Sequence, residues 1–69
     1  MSKLKTWRIE RNLSQHELAA ATGLPRWKIQ LIEGGVQHPS PQEADALAAG
    51  LGVKVNDLFP ALGARLGTK

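Results

Sequence analysis

An all-α domain of five short helices is the fold this sequence predicts, and three observations predict it. Ser-x-x-Glu start signals open two segments, Ser14 to Glu17 and Ser40 to Glu43. In each, the Ser hydroxyl can accept from the Glu amide while the carboxylate reaches back to the Ser amide. Apolar residues then recur at helical spacing, most clearly Ala44, Leu47, Ala48 and Leu51 at i, i+3, i+4 and i+7. No stretch alternates long enough to make a strand, and there is no internal repeat or low-complexity run.

Residues 3–11 make the first predicted helix, with Leu4, Trp7, Arg8 and Arg11 on one face. Arg8 lies in the middle of that packing face and therefore needs an anionic partner. Ile9 falls off the stripe, Asn12 is a C-terminal stop, and Leu13 takes the hydrophobic-staple position ahead of Ser14. The second helix carries Leu18, Ala19 and Thr22 on one face and stops at Gly23, where a left-handed residue is required. Pro25 suits the first turn of a third helix, which turns Ile29 and Ile32 inward and ends at Gly34-Gly35. Helix, short turn and helix over about residues 14–33 match the pattern of a DNA-binding helix-turn-helix.

The loop Gly34 to Pro39 has no periodicity. A fourth helix follows over about 41–50, with Pro41 at its first position and Gly52 ending it. Gly50 weakens its last turn by up to ~1 kcal/mol relative to Ala. Asn56 to Phe59 allow one more turn before Pro60, with Val53, Leu58 and Phe59 as the lid of the core. Residues 1–60 then form the domain. Residues 61–69 carry Leu62 and Leu66 at i and i+4 but also Gly63 and Gly67, and read as a weak helix, a tail, a linker start or part of a subunit contact.

Composition narrows the function. Sixty-nine residues allow one small domain. The absence of cysteine excludes disulfides and thiolate metal sites. His16 and His38, with no convincing carboxylate partner, do not make a zinc site, so no metal or cofactor is expected. No run approaches the ~18 apolar residues of a membrane span, and the N-terminus is too charged for a signal peptide; the expected setting is cytoplasmic. Nucleophile, base and acid sets are missing, as is a phosphate-cradling Gly loop, and a domain this small leaves little room for a ~300 Å3 pocket. The chain is therefore not expected to be an enzyme. Its net charge is +3, and residues 1–36 hold six basic side chains against three acidic ones. That excess lies in the half with the helix pair, as a polyanionic partner would favour.

LSQHELAAATGL, KIQLIEGG, HPSPQEADALAAGLGV and the closing NDLF, in this order and spacing, resemble the phage Cro and lambda-repressor-like helix-turn-helix domains, the XRE-type transcriptional regulators. The similarity runs from about Leu4 to Phe59. It implies a compact five-helix domain whose second and third helices form the DNA-reading unit. By that resemblance Gln15 meets a phosphate, and Arg26, Trp27, Lys28 and Gln30 face the major groove. Arg8 and Glu33 match an arginine and glutamate that pair, and Val36, Gln37 and His38 match a loop that contacts the sugar-phosphate backbone. Two residues depart from the family pattern. Pro25 stands where Ser or Thr usually caps the recognition helix, and Trp27 where a small or polar residue is commoner, so the usual base code does not carry over there.

The chemistry of these side chains suits the role. Arg26 can bond guanine O6 and N7, and Gln30 adenine N6 and N7. Lys28 suits a phosphate or a single guanine bond. Trp27 can stack or touch a thymine methyl, with core or dimer packing as its other use. The expected function is sequence-specific binding of double-stranded DNA by a small regulator of bacterial or phage origin. A repressor acting as a homodimer on an inverted repeat is the expected form, with Leu58, Phe59, Leu62 and Leu66 as candidate dimer contacts. Alternatives are a protein-interaction module on the same fold, an antitoxin with a toxin partner, or the amino-terminal fragment of a larger regulator.

Overall fold

Both Ser-x-x-Glu signals are realised as capping boxes in the computed structural model, which describes residues 3–60. Ser14 Oγ accepts from the Glu17 amide at 3.0 Å, and Glu17 Oε1 accepts from the Ser14 amide at 2.8 Å. Ser40 and Glu43 repeat this at 3.1 and 2.9 Å. These boxes open α2 (Gln15–Thr22) and α4 (Pro41–Leu51), which join α1 (Leu4–Glu10), α3 (Arg26–Glu33) and α5 (Val55–Leu58). No strand occurs among the described residues. Gly23 and Gly52 stop α2 and α4 at φ 79° and 71°, the left-handed region that glycine enters without a Cβ penalty. Asn12 adopts φ 57° after α1, as its side chain allows better than most.

Each helix gives its apolar face to one core. Leu4 comes from α1, Leu18 from α2, Ile29 and Ile32 from α3, and Ala44, Leu47, Ala48 and Leu51 from α4. Leu58 and Phe59 close it from α5, and Leu13 packs against its edge ahead of the α2 cap. Fully burying a Leu, Ile or Phe side chain contributes about 1.5–3 kcal/mol each. The start of α1 is tied to the end of α5, because the Lys3 amide donates to the Leu58 carbonyl at 2.8 Å. Arg11 reaches back from the end of α1, its Nε donating to the Leu51 carbonyl at 2.6 Å. A cation is favourable at that C-terminal end of α4. The same guanidinium lies 4.8 Å from the Trp7 ring centroid.

Three expectations are corrected. Pro25 is the N-cap of α3, the position the family resemblance gave it, and not the first turn its fixed φ suggested: ψ 146° is extended, and the helix starts at Arg26 without a side-chain cap. Leu58 and Phe59 are 0% and 5% exposed, so they are core residues and cannot be the dimer contact. The other two dimer candidates, Leu62 and Leu66, lie outside the described residues. The domain also has more concavity than its size suggested. An open cleft of about 440 Å3 runs between α1 and α5, lined by Lys3, Trp7, Glu10 and Asp57 among others. Trp7 Nε1 donates to the Asp57 carbonyl on its wall at 3.2 Å.

Gly50 has a packing reason that helix propensity hides. A Cβ there would stand 2.8 Å from Thr22 Cγ2, where α2 and α4 approach. Thr22 cannot turn away without cost, because its hydroxyl donates to the Leu18 carbonyl at 2.8 Å. Gly50→Ala is expected to lower stability by about 1 kcal/mol, an overpacking cost of ~1–3 kcal/mol exceeding a propensity gain of ~1. In a Thr22→Ser background, which removes the methyl and keeps the hydroxyl, the same substitution should stabilise. Urea denaturation of the four proteins checks the change of sign.

Candidate nucleic-acid interface

The third helix shows a sharp division of faces. Ile29 and Ile32 are 0% and 1% exposed, while Arg26, Trp27 and Gln30 stand in solvent. Trp27 is 57% exposed, so packing into the domain's own core does not explain it. The three exposed residues span the side of α3 opposite the core and offer a guanidinium, an indole and a carboxamide. Among the described residues Arg26 has no ion pair.

Lys28 departs from this group. It is half-buried and turned toward α4, where its ammonium lies 2.6 Å from Glu43 Oε2. It also lies 5.9 Å from the Trp27 ring centroid. The Glu43 carboxylate is thus fully engaged, one oxygen with the Ser40 amide and the other with Lys28. The Lys28 bond first, and the Ser40 amide after it, hold the Glu43 carboxyl below its ordinary value.

The opposite end of α3 is anchored by Glu33. Its side chain is 4% exposed and accepts from Arg8 Nε at 2.6 Å and Arg8 Nη2 at 3.2 Å. Gln15 Nε2 adds a third bond to Oε1 at 3.0 Å. Arg8 also gives Nη1 to the Leu13 carbonyl at 2.7 Å. Among the described residues no buried side-chain nitrogen or oxygen lacks a partner. Gln15 is therefore held by its amide against α3, at the N-terminus of α2. A carboxamide nitrogen carries two donors, and Glu33 uses one.

The loop after α3 folds over that helix's end. Gly35 takes φ 77°, and the Val36 and Gln37 amides both donate to the Leu31 carbonyl, at 2.9 and 3.3 Å. Val36 is 72% exposed, His38 is exposed, Gln37 is half-buried and Pro39 is buried as the anchor. Arg26, Trp27 and Gln30 thus share one surface, Gln15 lies at the head of α2, and Gln37 and His38 follow α3 in the loop. Lys28–Glu43 and the Gln15–Glu33 bond escaped the sequence reading. Nothing in helical periodicity relates residues 28 and 43, which meet only through the fold.

The chain matches the helix-turn-helix family model over residues 4–58. It is 41% identical over 58 residues to an uncharacterised HTH-type transcriptional regulator of Methanocaldococcus jannaschii, covering 84% of this chain and 88% of that protein. Among solved structures it is similar to a chain of the SinR protein/SinI protein complex, with TM-score 0.80 and 30% identity. That likeness covers 96% of this chain and 65% of the other, so this chain spans just under two thirds of that neighbour. It is also similar to a hypothetical transcription factor, NHTF, from Neisseria, with TM-score 0.76 and 28% identity over 97% of this chain and 78% of that one.

Removing either partner of the buried pair leaves the other charge stranded. Arg8→Met or Glu33→Gln should each lower stability by about 3–5 kcal/mol, and Arg8→Met with Glu33→Met by much less. Urea midpoints of the three variants measure this. Glu43 should appear in the acid limb of stability. Its folded carboxyl titrates below the unfolded one, so its contribution is complete above the ordinary carboxylate range and is lost as pH falls through the lowered value. As pH falls from the ordinary carboxylate range through that lowered value, wild type should lose more stability than Glu43→Gln, followed by urea midpoint against pH.

Proposed function

Because the chain belongs to the helix-turn-helix family, matched over residues 4–58, we propose that it is a small transcriptional repressor that reads a specific sequence in double-stranded DNA. Membership makes it a DNA-binding transcriptional regulator of lambda-repressor-like fold. The observation that carries the finer reading is the exposed face of α3, where Arg26, Trp27 and Gln30 stand opposite buried Ile29 and Ile32. A helix fits the ~12 Å width of the major groove, so that face can meet base edges. Arg26 bonds guanine O6 and N7, and Gln30 bonds adenine N6 and N7. Trp27 supplies apolar contact, stacking or meeting a thymine methyl.

Positioning comes from outside the reading face. The second amide N–H of Gln15 donates to a phosphate at the head of α2, where the helix N-terminus favours an anion. Gln37 and His38 hold the sugar-phosphate backbone beyond the other end of α3. One domain of this size covers half a site, and a homodimer on an inverted repeat places two recognition helices about 34 Å apart. A protein-docking use of the same face would favour acidic or apolar residues in place of Arg26. The Arg26 guanidinium, without an ion pair among the described residues, favours a polyanion.

Selection of a random duplex pool by wild type should enrich a palindromic motif. Arg26→Ala should relax one position in each half-site, losing ~1–3 kcal/mol of discrimination there. Binding that is salt-sensitive but enriches nothing would reduce the role to phosphate contact.

A further inference from the structure

Lys28 occupies a position between two groups that belong to different parts of the molecule. On one side is the Glu43 carboxylate of α4, at 2.6 Å. On the other is the face of Trp27, whose centroid is 5.9 Å away, within the range of a cation–π contact. The side chains of Lys28 and Glu43 are only 25% and 21% exposed, so the pair is largely covered. Glu43 itself has no freedom to follow Lys28 outward. Its other oxygen accepts from the Ser40 amide at 2.9 Å, while its own amide donates to Ser40 Oγ at 3.1 Å. A chain of contacts thus runs from the N-terminus of α4, through a fixed carboxylate and an ammonium, to the indole exposed on α3.

We propose that Glu43, acting through Lys28, is the positioning residue that sets the Trp27 indole on the reading face, so that α4 shapes sequence discrimination without meeting a base. This rests on the DNA-reading function proposed above. Trp27 is 57% exposed, so the rest of the domain does not fully enclose its ring. The ammonium beneath the ring and the carboxylate that fixes the ammonium supply that restraint. In this role the ammonium acts as a tether for the ring, whatever its remaining donors meet.

The test is the random-duplex selection run on the whole protein, with Trp27→Ala marking the base position that depends on the indole. Glu43→Gln keeps the capping box, since Gln serves at that position, and removes only the charge that holds Lys28. Lys28→Met keeps the length of the side chain and removes the ammonium. Both should relax the position marked by Trp27→Ala by about twofold or more, the lower range for residues in one network, and leave the others unchanged. Lys28→Arg, which retains the ion pair and the cation on the ring, should restore wild-type preference. The log–log salt slope should be the same for Lys28→Met as for wild type.

A slope reduced by ~0.9 in Lys28→Met, with all sequences weakened alike, would make Lys28 a phosphate ligand and overturn the proposal. So would unchanged preference at the marked position in both Glu43→Gln and Lys28→Met. Enrichment of no motif by wild type would remove the function on which the proposal rests, an outcome separate from either of these.

Discussion

The Glu33 carboxylate is the junction through which three helices and a loop agree on one arrangement. Arg8 brings α1, its bond to the Leu13 carbonyl brings the turn that follows, and Gln15 brings the head of α2. All converge on the last residue of α3. Apolar contacts between short helices tolerate small rotations, since methyl groups have no preferred direction. A two-pronged guanidinium–carboxylate contact accepts few. Replacing such a pair with apolar residues often costs little stability, so its value here is directional. It makes the angle of the recognition helix a property of α1 and α2 as well as of α3 itself.

What a sequence reveals of such a domain follows from the range of each interaction. The caps at Ser14 and Ser40, the glycine stops at 23 and 52, and the apolar faces of α3 and α4 arise within a few residues along the chain. Local chemistry is enough to read them. Residue chemistry alone leaves Pro25 open by one position, because a proline suits both the first helical turn and the extended residue before it, and φ near −68° serves either. Gly50 looks like a local weakness until Thr22, 28 positions earlier, is seen 2.8 Å from its missing Cβ. Leu58 and Phe59 are apolar whether they face a core or a second subunit, and only the closed fold distinguishes these.

The same limit applies to the interface. Arg26, Trp27 and Gln30 are legible as an outward face because the inward one is marked by two isoleucines. Lys28 is legible as a cation but not as a tethered one, since its partner lies across a loop at the start of another helix. Charge counts therefore overstate what the surface of α3 offers to a polyanion. Of its two cations, Lys28 is paired with Glu43, and among the described residues Arg26 has no ion pair.

The charges of α3 are also placed against the helix that carries them. Arg26 and Lys28 sit in the first turn, where the macrodipole is positive, and Glu33 sits at the negative end. Each placement opposes the helix by about 0.3–1 kcal/mol where exposed, and the Pro25 cap offers no side-chain bond to offset it. For Glu33 the offset is Arg8 and Gln15, and for Lys28 it is Glu43. Both charges are thus explained by tertiary structure. Arg26 has no such compensation among the described residues. A local rule broken without an internal return marks a residue kept for something outside the fold, and a guanidinium at the edge of an exposed helix face has its natural complement in a nucleic acid.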